Sequence, residues 1–90
     1  MGTTKRAAGW VLDKSTQLHH YYREEGGFEA ITPLCSGPVL LAQTVRRQAV
    51  AEQPPGPVRY LNSVKVCPEP SVCQGCYNKV GKLKKLARHA

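Results

Sequence analysis

The chain has 90 residues, a net charge of +7 and few large apolar side chains: one Phe, one Trp, one Met and four Tyr. A length of this order gives one domain with a modest core, because small chains bury a limited share of their surface. No stretch approaches the ~18 apolar residues of a membrane span, and residues 1–15 hold no apolar run of the kind a secretory signal needs, so the expected setting is cytoplasmic, without a membrane.

Residues 1–9 (MGTTKRAAG) carry no apolar period and are expected to form a flexible arm, with a single domain over 10–90. Trp10-Val11-Leu12 begins ordered structure, with Trp10 as a core anchor. Residues 17–23 (QLHHYYR) suit a half-buried strand. Glu24-Glu25-Gly26-Gly27 signals a turn, and residues 28–34 (FEAITPL) alternate Phe28, Ala30, Thr32 and Leu34 on one face. Two strand-like runs around a glycine-containing loop predict a β-hairpin of 17–23 with 28–34.

Cys35-Ser36-Gly37-Pro38 closes the second run in a tight turn. Over 39–52, Leu41, Val45 and Ala49 share one helical face behind Pro38, although Val39-Leu40-Leu41 alone also suits a strand; the helix is favoured. Gln53-Pro54-Pro55-Gly56-Pro57 is a stiff connector. Residues 58–66 (VRYLNSVKV) alternate as a third strand. After Cys76, Val80, Leu83, Leu86 and Ala87 form one stripe and Lys82, Lys85 and His89 another face, which predicts a basic amphipathic helix. The whole reads as a small α+β domain: a hairpin, a third strand and a C-terminal basic helix.

Such a core needs a staple, and four cysteines offer one. Disulfides are one use of them, but a reducing setting favours metal ligation. Cys73 and Cys76, two residues apart, converge on one side of a tetrahedral zinc ion, and Cys35 at a strand end can close the other. The fourth ligand is either His20, on the first hairpin run, or Cys67, separated from Cys73 by five residues that include Pro68 and Pro70. His20 is favoured. Adjacent strand residues face opposite ways, so at most one of His19 and His20 can ligate; the alternative is a pair of ordinary strand histidines.

His20-Tyr21, then a glycine-containing turn, then Pro33-Leu34-Cys35 with a glycine close behind, then Val72-Cys73-Gln74-Gly75-Cys76, resembles a pattern in short zinc-finger-like proteins of actinobacteria and their phages. Those proteins read as His, a gap, Leu-Cys-Gly, a variable stretch and Cys-x-x-Cys, mostly without an assigned function. The match covers about residues 17–77, and the chain departs from it at Ser36, inserted between Cys35 and Gly37, and at the additional Cys67.

Four ligands leave no open coordination position, and the chain lacks the His-x-Glu of zinc deaminases and the βαβ setting of a redox Cys-x-x-Cys, so no enzyme and no small-molecule substrate is expected. Residues 53–90 hold seven basic residues against Glu69 alone. The resulting field suits a polyanion. The expected role is a non-catalytic zinc-binding module that contacts nucleic acid, or a nucleic-acid-handling complex, through Lys79, Lys82, Lys84, Lys85 and Arg88. The alternative is a protein-interaction adaptor, for example a phage or mobile-element protein docking on an acidic protein surface of a host complex. A third reading leaves the basic tail solvated and without a partner.

Overall fold

The computed structural model describes residues 8–24, 28–59 and 67–89, with side chains of the last helix described through residue 83. It is an α+β fold with strands β1 (Ala8–Asp13), β2 (Leu18–Arg23), β3 (Ala30–Ile31) and β4 (Leu40–Leu41), helix α1 (Ala42–Gln48), strands β5 (Val58–Arg59) and β6 (Ser71–Cys73), and helix α2 (Gln74–His89). The principal sheet has the order β1-β2-β6-β5, and β3 and β4 form a separate pair.

The hairpin is β1 with β2, antiparallel, with Trp10 opposite Tyr21 and Val11 opposite His20. This corrects the expected pairing of 17–23 with 28–34. The deciding feature is Asp13. Its carboxylate accepts from the Ser15 amide at 3.0 Å, the Ser15 hydroxyl at 2.7 Å and the Thr16 hydroxyl at 3.0 Å. Gln17 takes a positive φ of 58° and returns its amide to the Asp13 carbonyl at 2.7 Å. A side chain that satisfies the turn's own donors makes a reversal without glycine. The run expected over 28–34 contributes only β3, which pairs with β4.

Other boundaries also shift. Strand β1 includes Ala8 and Gly9 ahead of Trp10, and residues 1–7 lie outside the described residues. Of the helix expected over 39–52, only Ala42–Gln48 is helical, because Leu40 and Leu41 are taken as β4. Val45 is fully buried as expected of the apolar face, whereas Leu41 is exposed. The third strand forms at Val58–Arg59, and residues 60–66 lie outside the described residues.

Both faces of β1 are covered, which explains why Trp10 and Val11 are buried side by side. Val11 packs with Tyr22, Ile31, Ala42 and Val45 in one cluster. Trp10 packs with Val72, Cys73 and Cys76 in the other, with Tyr21, Leu34, Cys35 and Val80 against it. The Trp10 and Tyr21 rings meet edge to face at 5.4 Å. Strand β6 lies between β2 and β5, parallel to both, and all three of its residues are buried. Cysteine side chains are thus built into the second cluster.

Candidate metal centre

Three separate segments deliver the cluster. The parallel register sets Leu18 opposite Ser71 and His19 opposite Val72, so His20 and Cys73 come next in line on a shared face of the sheet. His20 is fully buried, and half-buried His19 points away, its Nδ1 within hydrogen-bonding distance of the Ser71 carbonyl at 3.1 Å. Helix α2 starts immediately after Cys73, and its first turn brings Cys76 back beside Cys73. The Cys73 sulfur accepts the Cys76 backbone N–H, as an N-cap side chain does for the third residue of a helix.

Cys35 arrives from a tight turn in which the Ser36 amide donates to the Pro33 carbonyl at 2.9 Å and Ser36 takes a φ of 62°. The turn is held on both sides through Leu34. Its amide donates to the Tyr21 carbonyl at 3.1 Å, and its carbonyl accepts from Lys79 Nζ at 2.6 Å. Two glycines make the approach possible. A Cβ at Gly37 would lie 3.1 Å from Cys35 Sγ, and one at Gly75 would lie 2.9 Å from the Cys35 Cβ.

The result is a compact donor set. The ligand atoms of His20, Cys35, Cys73 and Cys76 all lie within 4.8 Å of one another. His20 Nδ1 is 3.3 Å from Cys35 Sγ and 4.0 Å from Cys76 Sγ. Tetrahedral coordination with metal–sulfur bonds of about 2.3 Å and a metal–nitrogen bond of about 2.0 Å implies donor separations of roughly 3.5–3.8 Å. The set therefore needs only small adjustments to close on one ion.

The electrostatics point the same way. All four cysteines are free thiols. The Cys76 thiol donates to Cys73, which holds Cys73 far below the ordinary thiol range, at about 3, despite burial. That same bond, together with burial, pushes Cys76 up. Burial, reinforced by the charge on Cys73, pushes Cys35 up. A bound cation would let all three thiols ionise, since it offsets both repulsion and burial. His20 turns Nδ1 toward the thiols, and its buried Nε2 has no hydrogen-bond partner among the described residues.

Cys67 stands outside this group. Its backbone amide donates to the Thr16 carbonyl at 3.0 Å, and its half-buried side chain is not among the clustered donors. Of the basic residues, Lys79 and Lys82 are exposed on α2, and Lys79 is engaged with the Leu34 carbonyl. The side chains of Lys84, Lys85 and Arg88 lie outside the described residues. Sequence reasoning missed Gly75 and the Leu34–Lys79 bond; the only sequence sign of the former is a glycine enclosed between two thiols.

No helix among the described residues is long and apolar enough to cross a membrane. No protein-family model matches the chain, nor does any curated protein or solved structure. Fold and site together define a small α+β domain built around a cluster of one histidine and three cysteines that can hold a metal ion.

Proposed function

We propose that the cluster holds Zn2+ as a structural ion, and that the domain is a non-catalytic module contacting nucleic acid through its basic C-terminal helix. The observation that carries the metal assignment is the convergence of one imidazole and three thiols from three segments at a buried point. Soft sulfur donors with one nitrogen suit zinc, and four protein ligands fill a tetrahedral site without leaving a position for substrate. The resemblance to zinc-finger-like proteins of actinobacteria and phages supports the same assignment, as do cysteines that form no disulfide.

The partner reading rests on charge. Lys79, Lys82, Lys84, Lys85 and Arg88 fall within the 16 residues of α2, which contain no acidic side chain. Lysines grip phosphates as point charges, giving salt-dependent and weakly sequence-specific binding. The helix is anchored at its start by two of the proposed ligands, so the ion would fix where those charges stand.

Two measurements test this reading. Protein purified without added metal should contain one zinc per chain. At low salt, replacing Lys82, Lys84 and Lys85 together with Gln should abolish oligonucleotide binding and leave zinc content unchanged. A triple variant that binds as tightly as wild type would return the helix to a solvated tail. Binding only to an acidic protein, with slowed association in the variant, would favour the adaptor reading instead.

A further inference from the structure

Two shallow cavities adjoin beside the ligand turn. The first has Phe28, Arg23 and Leu34 in its lining, and the second has Arg23, Leu34, Lys79, Lys82 and Leu83. Arg23 and Leu34 belong to both, so the two are neighbours, the halves of a trough that share these side chains as a wall. Among the described residues no carboxylate lines either cavity. Leu34 and Leu83 give the second cavity a mainly apolar surface, and Lys79 and Lys82 line it beside them. At one end stands Phe28, 69% exposed and the only phenylalanine in the chain. Exposing so large a ring forgoes the stabilisation that burial would give. An aromatic face next to a line of cations is the combination that binds unpaired bases and their phosphates.

We propose that this trough binds single-stranded nucleic acid, with phosphates at Lys79 and Lys82 and a base stacked on Phe28. The proposal rests on the reading of α2 as a nucleic-acid contact, and adds the strand form and the place. A duplex keeps its base faces stacked inside and offers an isolated ring little beyond its phosphates, whereas a single strand presents both. Lys79 uses one of its ammonium donors on the Leu34 carbonyl. An ammonium has three donors, so this bond fixes the charge at the trough and leaves capacity for phosphate oxygen. Leu34 adjoins the ligand Cys35, so the trough is anchored to the metal turn.

The test is fluorescence anisotropy at low salt with a labelled mixed-sequence single strand of about a dozen nucleotides and with its duplex. The zinc-loaded wild-type protein should prefer the single strand. Phe28→Ala should weaken that binding by about tenfold, the loss of one stacking contact, while hardly changing duplex binding. Lys82→Gln should flatten the dependence of log affinity on log salt by about 0.7. Unchanged zinc content and amide dispersion would show that the variants stay folded. The Phe28 ring resonances, identifiable because the residue is unique, should move upfield when the strand binds. A preference for the duplex would overturn the proposal, as would wild-type affinity in both Phe28→Ala and Lys82→Gln, or Phe28-dependent binding of polyglutamate in place of the strand. If strand binding depends on Lys84 and Lys85 but on no trough residue, the trough inference falls and the reading of the helix stands. If no oligonucleotide binds at all, both fall.

Discussion

Gly75 and Cys35 approach so closely that a Cβ on the glycine would lie 2.9 Å from the Cβ of the cysteine. Carbon atoms do not share that distance without displacement, and the atom in the way is the stem of a ligand rather than a flexible chain end. Cys35 therefore reaches Cys73 and Cys76 across the one position between them that lacks a side chain.

Gly75→Ala should accordingly weaken metal binding by tenfold or more and lower the melting temperature. Helix propensity alone predicts the reverse, since alanine is favoured over glycine by about 1 kcal/mol inside a helix. Gly81 is the internal control: it sits on the same helix, and a Cβ there would meet nothing within 4 Å. Gly81→Ala should raise stability by about 0.5–1 kcal/mol without changing metal affinity. Chelator competition and thermal melts read both effects. The same sign in the two variants would show that the Gly75 contact is immaterial.

The ligand variants separate the clustered residues from the remaining thiol. Cys35→Ser, Cys73→Ser and Cys76→Ser should each lose stoichiometric metal, and Cys67→Ser should keep it, because Cys67 lies outside the donor group. His20→Ala should lose metal. His20→Cys should retain it, since a thiolate can replace the imidazole and the change also removes the buried, unpartnered Nε2. Cobalt substitution reports this directly: tetrahedral visible bands should persist, red-shifted, in His20→Cys and disappear in His20→Ala. Loss of metal by Cys67→Ser would place the fourth donor elsewhere.

Much of this site was legible in residue spacing. Cys73-x-x-Cys76 spaces two thiols so that both can meet one ion, and Cys35 after a strand-like run is a natural closing ligand. The choice between His20 and Cys67 required the register of β2 on β6, which sets His19 opposite Val72 across more than fifty residues of chain. No local pattern carries that. The hairpin partner was misread for a different reason. Gly26-Gly27 is a strong turn signal and Asp13-Lys14-Ser15-Thr16 a weaker one, yet the second closes the hairpin because its polar side chains bond within the turn. The helix after Pro38 is short because Leu40 and Leu41 pair with Ala30 and Ile31, a tertiary contact that overrides helical periodicity.

That turn yields a stability prediction. Burial alone would raise the Asp13 carboxyl, but hydrogen bonds from Ser15 and Thr16 outweigh it and hold the group below the usual carboxylate range. A lowered folded-state pKa gives stability that is complete above the unfolded value and lost only as pH falls through the folded one. Asp13→Ala should therefore cost about 1 kcal/mol, and the difference from wild type should stay level between about pH 6 and 8. Denaturant unfolding at saturating zinc measures it. A difference that changes across this window would mean that the carboxylate is not the source.

The last prediction concerns the ion and the fold. Trp10 is the only tryptophan and is 2% exposed, packed with Val72, Cys73 and Cys76. Its environment is thus built partly from the proposed ligands. In so small a domain the binding energy of a closed metal site becomes folding energy. Adding EDTA at neutral pH should shift Trp10 emission to the red and collapse amide dispersion, and zinc should restore both. A reducing agent without chelator should change neither, because the cysteines are free thiols. If Trp10 emission stays blue and the spectrum dispersed after the metal has been removed, apolar packing around Val72 holds the fold by itself, and the metal is not structural.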